Sequence, residues 1–258
     1  MRLLLIGENF AAARTLEVLQ GIEVVEVVGV ACDQTAGSQQ LARRSESLGI
    51  PVLPIARLNQ PDGVGAVRRV APDIGLNVNS LTIFGGALLS SFPHGAVNFH
   101  PGPLPEYSGL NVHQWAIING ERQHAVTFHR MEPRIDAGDV LIRAAVPVET
   151  SDTGLKLFMR CIHAGTNLIA PLIDGLVRQT LTPRPQDLSR RRYYGRGPYR
   201  WEVDFTWPAS WIVDLVRALD YRPFESPLGS PCLRVGNRFY VVPTARVAAM
   251  ARTGAPGE

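Results

Sequence analysis

The chain has 258 residues, 45% of them hydrophobic, which is enough apolar material to bury the core of one full domain and a smaller appendage. Its 26 basic and 23 acidic residues leave a formal charge of +3, too slight a surplus to argue by itself for a nucleic-acid partner. No run of 18 uncharged apolar residues occurs, so no membrane-spanning helix is expected, and Cys32, Cys161 and Cys232 are too widely spaced to indicate a disulfide framework or a zinc site. The opening Met1-Arg2-Leu3-Leu4-Leu5-Ile6-Gly7 is too short for the apolar region of a signal peptide and leads straight into a strand-turn pattern, which places the protein in the cytoplasm as an expectation.

Residues 3–7 and 24–31 are apolar or β-branched runs closed by turn residues, with a stretch of helical periodicity at 11–19 between them. Further helices are predicted over 39–48 and 62–69, and a strand over 73–78. Strands alternating with helices in this way make a mainly parallel sheet covered on both faces, a Rossmann-like α/β core. The turn Gly7-Glu8-Asn9-Phe10-Ala11 lacks the spaced glycines of a dinucleotide fingerprint, so a nicotinamide reading is weak. Ala96-Val97 starts another strand; 112–118 reads as a helix, 125–129 and 140–146 as strands, and 152–176 as a long amphipathic helix capped by Ser151 or Asp152. Pro183, Pro185, Gly195, Gly197 and Pro198 then mark a break. The chain is therefore divided into a core over 1–183 and a linker with a short C-terminal tail over 184–258. The tail is predicted to hold a helix over 208–219 and a β-hairpin of 232–235 with 238–242, turned by Gly236-Asn237. Neither repeats nor low-complexity segments occur.

Two segments carry chemistry: Asn98-Phe99-His100-Pro101-Gly102-Pro103-Leu104-Pro105-Glu106-Tyr107-Ser108-Gly109 and Ile135-Asp136-Ala137-Gly138-Asp139. Between them they supply Asn98, His100 and Asp136, side chains suited to acyl transfer. Negative charge gathers on the acyl oxygen during attack by an amine, so such a site wants donors aimed at that oxygen and a group that moves a proton. Asn98 offers a side-chain N–H, and His100, two residues on, points to the same side if the stretch is extended. An aspartate near His100 would favour the imidazolium and make the ring a charged donor and acid. Pro101, Pro103 and Pro105 stiffen the chain as it leaves the strand, while Gly102 and Gly109 allow close backbone approach. Ligands of open α/β sheets sit beyond the carboxyl ends of strands, and 98–100 falls at such an end. Taken residue by residue, a proline-rich loop with an incidental histidine is the more frequent case.

Together, however, Asn98-x-His100-Pro101, Leu104-Pro105 with Gly109, and Asp136-Ala137-Gly138, which lies 36 positions after His100, resemble the signature of the folate-dependent formyltransferases. That family includes glycinamide ribonucleotide, methionyl-tRNA and nucleotide-sugar formyltransferases. The likeness runs from about residue 74 to residue 247 and is strongest to the UDP-4-amino-4-deoxy-arabinose type, through Trp115-Ala116-Ile117-Ile118-Asn119-Gly120-Glu121, Val126-Thr127-Phe128-His129-Arg130-Met131 and Tyr194-Gly195-Arg196. The loop departs from the family pattern at Gly102-Pro103, where serine is usual, and at Leu110, which replaces an arginine of the sugar enzymes.

The resemblance implies direct transfer of a formyl group from 10-formyltetrahydrofolate to a primary amine of a small molecule, with a nucleotide-linked amino sugar the leading acceptor and no metal required. It makes Asn98, His100 and Asp136 catalytic. It gives the backbone of Thr82, Ile83 and Phe84 to the pterin, and makes Glu132, Pro133, Arg134, Ile135 and Asp136 the opposite wall. Tyr107 and Gly109 are placed at the acceptor, Tyr107 as an exposed loop aromatic that closes over it or only packs. Arg190, Arg192 and Arg196, interleaved with aromatics, would neutralise a diphosphate, against the even alternative of a solvated basic loop. His113 and His129 lie outside the motif positions and read as a helix residue and a strand residue near the site. Other amines, methionyl-tRNA, a formyl-folate hydrolase and a non-catalytic folate-binding module are the alternatives. The tail ends after the first strands of the barrel that methionyl-tRNA formyltransferases carry, and Met1 leaves no room for a hydrolase's regulatory domain, so both are disfavoured. Trp207, Trp211 and Phe224 leave open a homodimer or packing of the tail onto the core.

Overall fold

The computed structural model describes residues 1–33, 37–197 and 199–247; Pro198 and residues 248–258, assigned above to the linker and tail, lie outside the described residues. The first half runs β1 (Arg2–Gly7), α1 (Asn9–Gln20), β2 (Glu26–Cys32), α2 (Gln39–Ser47), β3 (Val52–Pro54), α3 (Pro61–Val70), β4 (Ile74–Val78), α4 (Gly86–Leu89) and β5 (Ala96–His100). There follow β6 (Ser108–Gly109), α5 (Val112–Ile118), β7 (Gln123–Arg130), β8 (Val140–Pro147) and α6 (Gly154–Val177). The remainder holds β9 (Tyr193–Tyr194), β10 (Trp201–Glu202), α7 (Ala209–Leu219), β11 (Pro231–Val235) and β12 (Arg238–Val241).

Seven strands form one sheet in the order β3-β2-β1-β4-β5-β7-β8. The first five are parallel, while β7 and β8 join antiparallel at one side. A central parallel strand is covered on both faces, which is why β1 is a continuous apolar run rather than an alternating one. Leu3 and Leu5 enter the core beneath α1 and α6, and Leu4 and Ile6 enter the second core beneath α3. The outer strand β8 has the looser alternation of a strand buried on one side. The strand order reverses between β1 and β4, so a crevice opens beyond the carboxyl ends of the central strands, where β5 delivers residues 98–100.

Helix α6 lies directly on that strand. A β-carbon at Gly165 would overlap the Phe99 ring, so the glycine lets the helix approach the strand that carries Asn98 and His100. Helix propensity alone favours Gly165→Ala by about 1 kcal/mol. Overpacking against Phe99 is expected to reverse the sign and leave a net loss of roughly 1–3 kcal/mol, read as a lowered midpoint in chemical denaturation; a raised midpoint would refute this contact. The N-cap of α6 is Thr153, whose hydroxyl accepts from the Lys156 N–H, and not Ser151 or Asp152. Asp152 is instead buried and committed to Arg160, at 2.6 and 2.9 Å, and to the Glu149 N–H.

The tail packs α7 against α5 and α6, and Trp207 and Trp211 stack edge to face at 4.6 Å while contacting the core. These two rings therefore pack the tail; Phe224 is exposed. The hairpin β11–β12 turns at Gly236-Asn237 as predicted, and β10 adds to it as a third strand. Two pairings of two residues each were not foreseen, that of β10 with β11 and that of β6 with β9, which ties residues 108–109 to the linker. All three cysteines are free. No helix among the described residues is long and apolar enough to cross a membrane.

Candidate active site

Asn77 of β4, Asn98 of β5 and His129 of β7 lie side by side across three adjacent strands, Asn77 in register with Asn98 and Asn98 with His129. Register places neighbouring side chains on one face of a sheet. The Asn77 amide donates to Asn98 Oδ1 at 2.8 Å, and Asn98 Nδ2 donates to His129 Nε2 at 3.0 Å. His129 in turn directs Nδ1 to the Arg130 carbonyl at 2.8 Å, so one tautomer, with the proton on Nδ1 and a bare Nε2, satisfies both contacts. Asn98 is thus clamped from both sides. Its second N–H has no partner among the described residues, which makes it a fixed donor on the face of the sheet, two residues before the end of β5.

His100 is buried, with Nε2–H donating to the Tyr107 carbonyl. A β-carbon at Gly102 would meet His100 Nε2 and the Tyr107 oxygen, both at 2.9 Å, so the glycine permits this packing. The remaining ring nitrogen, Nδ1, stands 3.9 Å from Asp136 Oδ1, and His129 Nε2 stands 3.6 Å from the same oxygen. Neither distance is a hydrogen bond, but a single polar atom of a substrate can bond at about 2.8 Å to both partners of such a pair. Asp136 Oδ2 accepts from the Gly109 N–H at 2.8 Å, an approach helped by the left-handed conformation of Gly109, φ +99°.

The charge states differ from the sequence-based expectation. Burial is the largest influence on His100 and lowers its pKa; the Asp136 carboxylate and the Tyr107 carbonyl act the other way without overcoming it. The resting ring is therefore neutral near pH 7 and not an imidazolium, because the carboxylate is too distant to offset the loss of water around the ring. Burial alone would raise the Asp136 carboxyl, but the His100 and His129 rings when charged, together with the Gly109 N–H, outweigh it and hold it well below the usual carboxylate range. Asp136 is the fixed negative charge of the site.

The other residues singled out in the sequence take different positions. Thr82, Ile83 and Phe84 follow β4, in a loop held by Asn59 and, through the Ser80 carbonyl, by Asn77. The Ile83 carbonyl is taken by Asn59 Nδ2 at 2.8 Å and the Phe84 ring is core, but the N–H groups of Ile83 and Phe84 have no partner among the described residues. Leu81 and Ile83 are exposed on this loop, and Glu132, Pro133, Arg134 and Ile135 are exposed on the loop leading to Asp136. Tyr107 is not the exposed loop aromatic expected. Its ring is buried between His124 and Tyr194, and its hydroxyl donates to Glu121 at 2.7 Å and accepts from Asn119. It acts on the site through its carbonyl. Arg190 is committed to Glu106 at 2.5 Å, whereas Arg192 and Arg196 are exposed and form no ion pair among the described residues.

Asn77 and Gln186 belong to the site and were missed. The signal for Asn77 was present, since one amide in the buried run Ile74-Gly75-Leu76-Asn77-Val78 must find a partner. Gln186 has no such signal in its proline-rich setting. His113 is a buried helix residue bonded to the Tyr221 hydroxyl at 2.8 Å. Among the described residues no cluster of His, Cys, Asp and Glu side chains is arranged to hold a metal ion.

Residues 1–173 match the family described as formyl transferase. Among solved structures, a 4-N formyltransferase from Francisella tularensis is 19% identical with a TM-score of 0.76, covering 95% of this chain and 98% of that one. A sugar N-formyltransferase from a Shewanella species is 18% identical with a TM-score of 0.75, covering 96% and 99%. The N-formyltransferase of Helicobacter canadensis, in complex with folinic acid and dTDP-3-aminofucose, is 18% identical with a TM-score of 0.69, covering 89% and 87%. These likenesses establish the fold over the tail as well as the core.

Proposed function

The chain belongs to the formyl transferase family, enzymes that transfer a one-carbon group, and within it we propose that the protein formylates the primary amine of a nucleotide-linked amino sugar with 10-formyltetrahydrofolate. The observation that carries the reading is the clamped Asn98 amide beside His100 and Asp136, at the strand ends where an α/β sheet binds its ligands. Support for the sugar class comes from the extent of the fold likeness, which includes the tail, and from the Helicobacter canadensis protein and its two bound ligands. In this reading residues 1–183 are the catalytic core, and the linker from 184 brings the arginines to the acceptor.

The co-substrate supplies, when bound, the formyl carbon that the amine attacks. The N–H groups of Ile83 and Phe84, without a partner among the described residues, suit the edge of a pterin, and exposed Ile135 is assigned to its opposite wall. Asn98 donates its free N–H to the oxygen on which charge develops. Neutral His100, its Nε2–H held by Tyr107, takes a proton from the attacking amine on Nδ1. The imidazolium so formed stands beside the Asp136 carboxylate, which stabilises it, and is then the charged donor that returns the proton to the departing nitrogen. The sequence-based role of His100 as an imidazolium is thereby moved from the resting enzyme to the reaction.

Tetrahydrofolate release followed by absorbance, with dTDP- and UDP-linked amino sugars, other amines and no acceptor, tests the reading. Turnover only with an amino sugar nucleotide is expected; release without acceptor would make the protein a hydrolase. Arg192 and Arg196, which form no ion pair among the described residues, are assigned to the diphosphate. Arg192→Ala with Arg196→Ala is expected to raise KM for the sugar nucleotide by about 10- to 100-fold and to change kcat by less than about threefold. A fall in kcat at unchanged KM would remove the arginines from the diphosphate site.

A further inference from the structure

Asp136 has φ +54°, a left-handed conformation uncommon for a residue with a side chain and held only where the surroundings over-determine it. Much of that restraint comes from the linker rather than from the Asp136 loop itself. Gln186 Nε2 donates to the Asp136 carbonyl at 3.1 Å and to the Gly138 carbonyl at 2.6 Å, bracketing the turn. Gln186 Oε1 is buried with no partner among the described residues, so the donor end of the amide is the part that the turn engages. Arg191 adds a bond to the Ile135 carbonyl at 3.2 Å.

The segment that carries Gln186 is fixed at both ends. Arg184 exchanges two backbone bonds of 2.9 Å with Val140, at the start of β8. Tyr193–Tyr194 pair with Ser108–Gly109, and the Gly109 N–H is itself the donor to Asp136 Oδ2. One stretch of linker thus holds the main chain of Asp136 through a side chain and the partner of its carboxylate through a strand pairing.

We infer that Gln186 is a positioning residue for Asp136, holding the carboxylate in place through the carbonyls of Asp136 and Gly138, and that it joins the acceptor-side linker to the reacting groups. The inference rests on the reading of Asp136 as the catalytic carboxylate. Two variants test it: Gln186→Leu removes the donor, and Gln186→Glu keeps the shape but faces two carbonyl oxygens with a carboxylate.

Both variants are expected to lower kcat by about 10- to 100-fold, with KM for either substrate within about threefold, as for a group that acts only on transition-state geometry. A residue that merely packs would tolerate the glutamate. The second readout needs no substrate. Hydrogen exchange of the Gly109 amide is expected to speed up at least tenfold in both variants, while the Leu110 amide, bonded to the Tyr194 carbonyl at 2.8 Å, keeps its protection. Unchanged Gly109 exchange in both variants, or a Gln186→Glu enzyme with wild-type kcat, would overturn the inference. Wild-type activity in Asp136→Ala together with accelerated Gly109 exchange in the Gln186 variants would overturn the catalytic reading of Asp136 and support the positioning by Gln186.

Discussion

Asn98→Ala is expected to lower kcat/KM for formyl transfer by roughly a hundred- to a thousandfold, the cost of removing one fixed donor from a developing oxyanion. The size follows from how the amide is held. Asn77 fixes its oxygen and His129 fixes one of its N–H groups, so the other N–H is aimed before the reaction begins and no reorganisation is required as charge develops. The loss should fall on kcat with little change in folate affinity, since the proposed pterin contacts lie on the loop after β4. Stopped-flow or steady-state measurement of tetrahydrofolate release, beside a folate-binding titration, separates the two effects. Activity within tenfold of wild type at unchanged folate affinity would show that the donor lies elsewhere.

The elements that bury the most apolar surface were legible in the sequence, because their periodicity is set by the faces they cover. Helix α5 runs over Val112–Ile118 as predicted, and β5 delivers Asn98 and His100 to a strand end. The grouping of Asn98, His100 and Asp136 in space was likewise legible, through the resemblance of the two segments to the formyltransferase signature. What could not be read is what depends on depth and on contacts between distant segments. The charge state of His100 is decided by how deeply the fold buries the ring, and no local feature of the sequence encodes that. The pairing of two linker residues with Ser108–Gly109 is too short to leave a period. Tyr107 looks exposed by its place in a proline-rich loop, yet Tyr194, more than eighty positions on, stacks over it at 5.3 Å. Thr153 caps α6 because the earlier candidate, Asp152, is drawn inward by Arg160.

The burial that keeps His100 neutral also limits the protein in acid, and a steep loss of stability below pH 6.5 is expected. His113 is buried against Phe158 and Tyr221, and burial lowers its pKa to about 3. His124, packed on Tyr107 and bonded to the Pro101 carbonyl, is lowered by burial to about 4. As the pH falls below 6.5 the unfolded chain binds protons on these rings while the folded chain does not, so stability is full above 6.5 and drains away as the pH falls. The loss continues to about pH 4 for His124 and to about pH 3 for His113. Integrated over those intervals it amounts to about 5 kcal/mol for His113 and about 3 kcal/mol for His124, comparable with the whole stability of a typical domain. Below that range the carboxylate of Asp136, held low, adds a loss of the same sign. Denaturation midpoints measured at half-unit steps from pH 7.5 to 4.5 should fall steadily once the pH is below 6.5, and His113→Gln should flatten the slope by about 1.4 kcal/mol per pH unit. A stability that stays level from pH 7 to pH 5 would mean that these rings reach water. The same finding would reopen the charge state of His100, because its neutrality rests on the same exclusion of water.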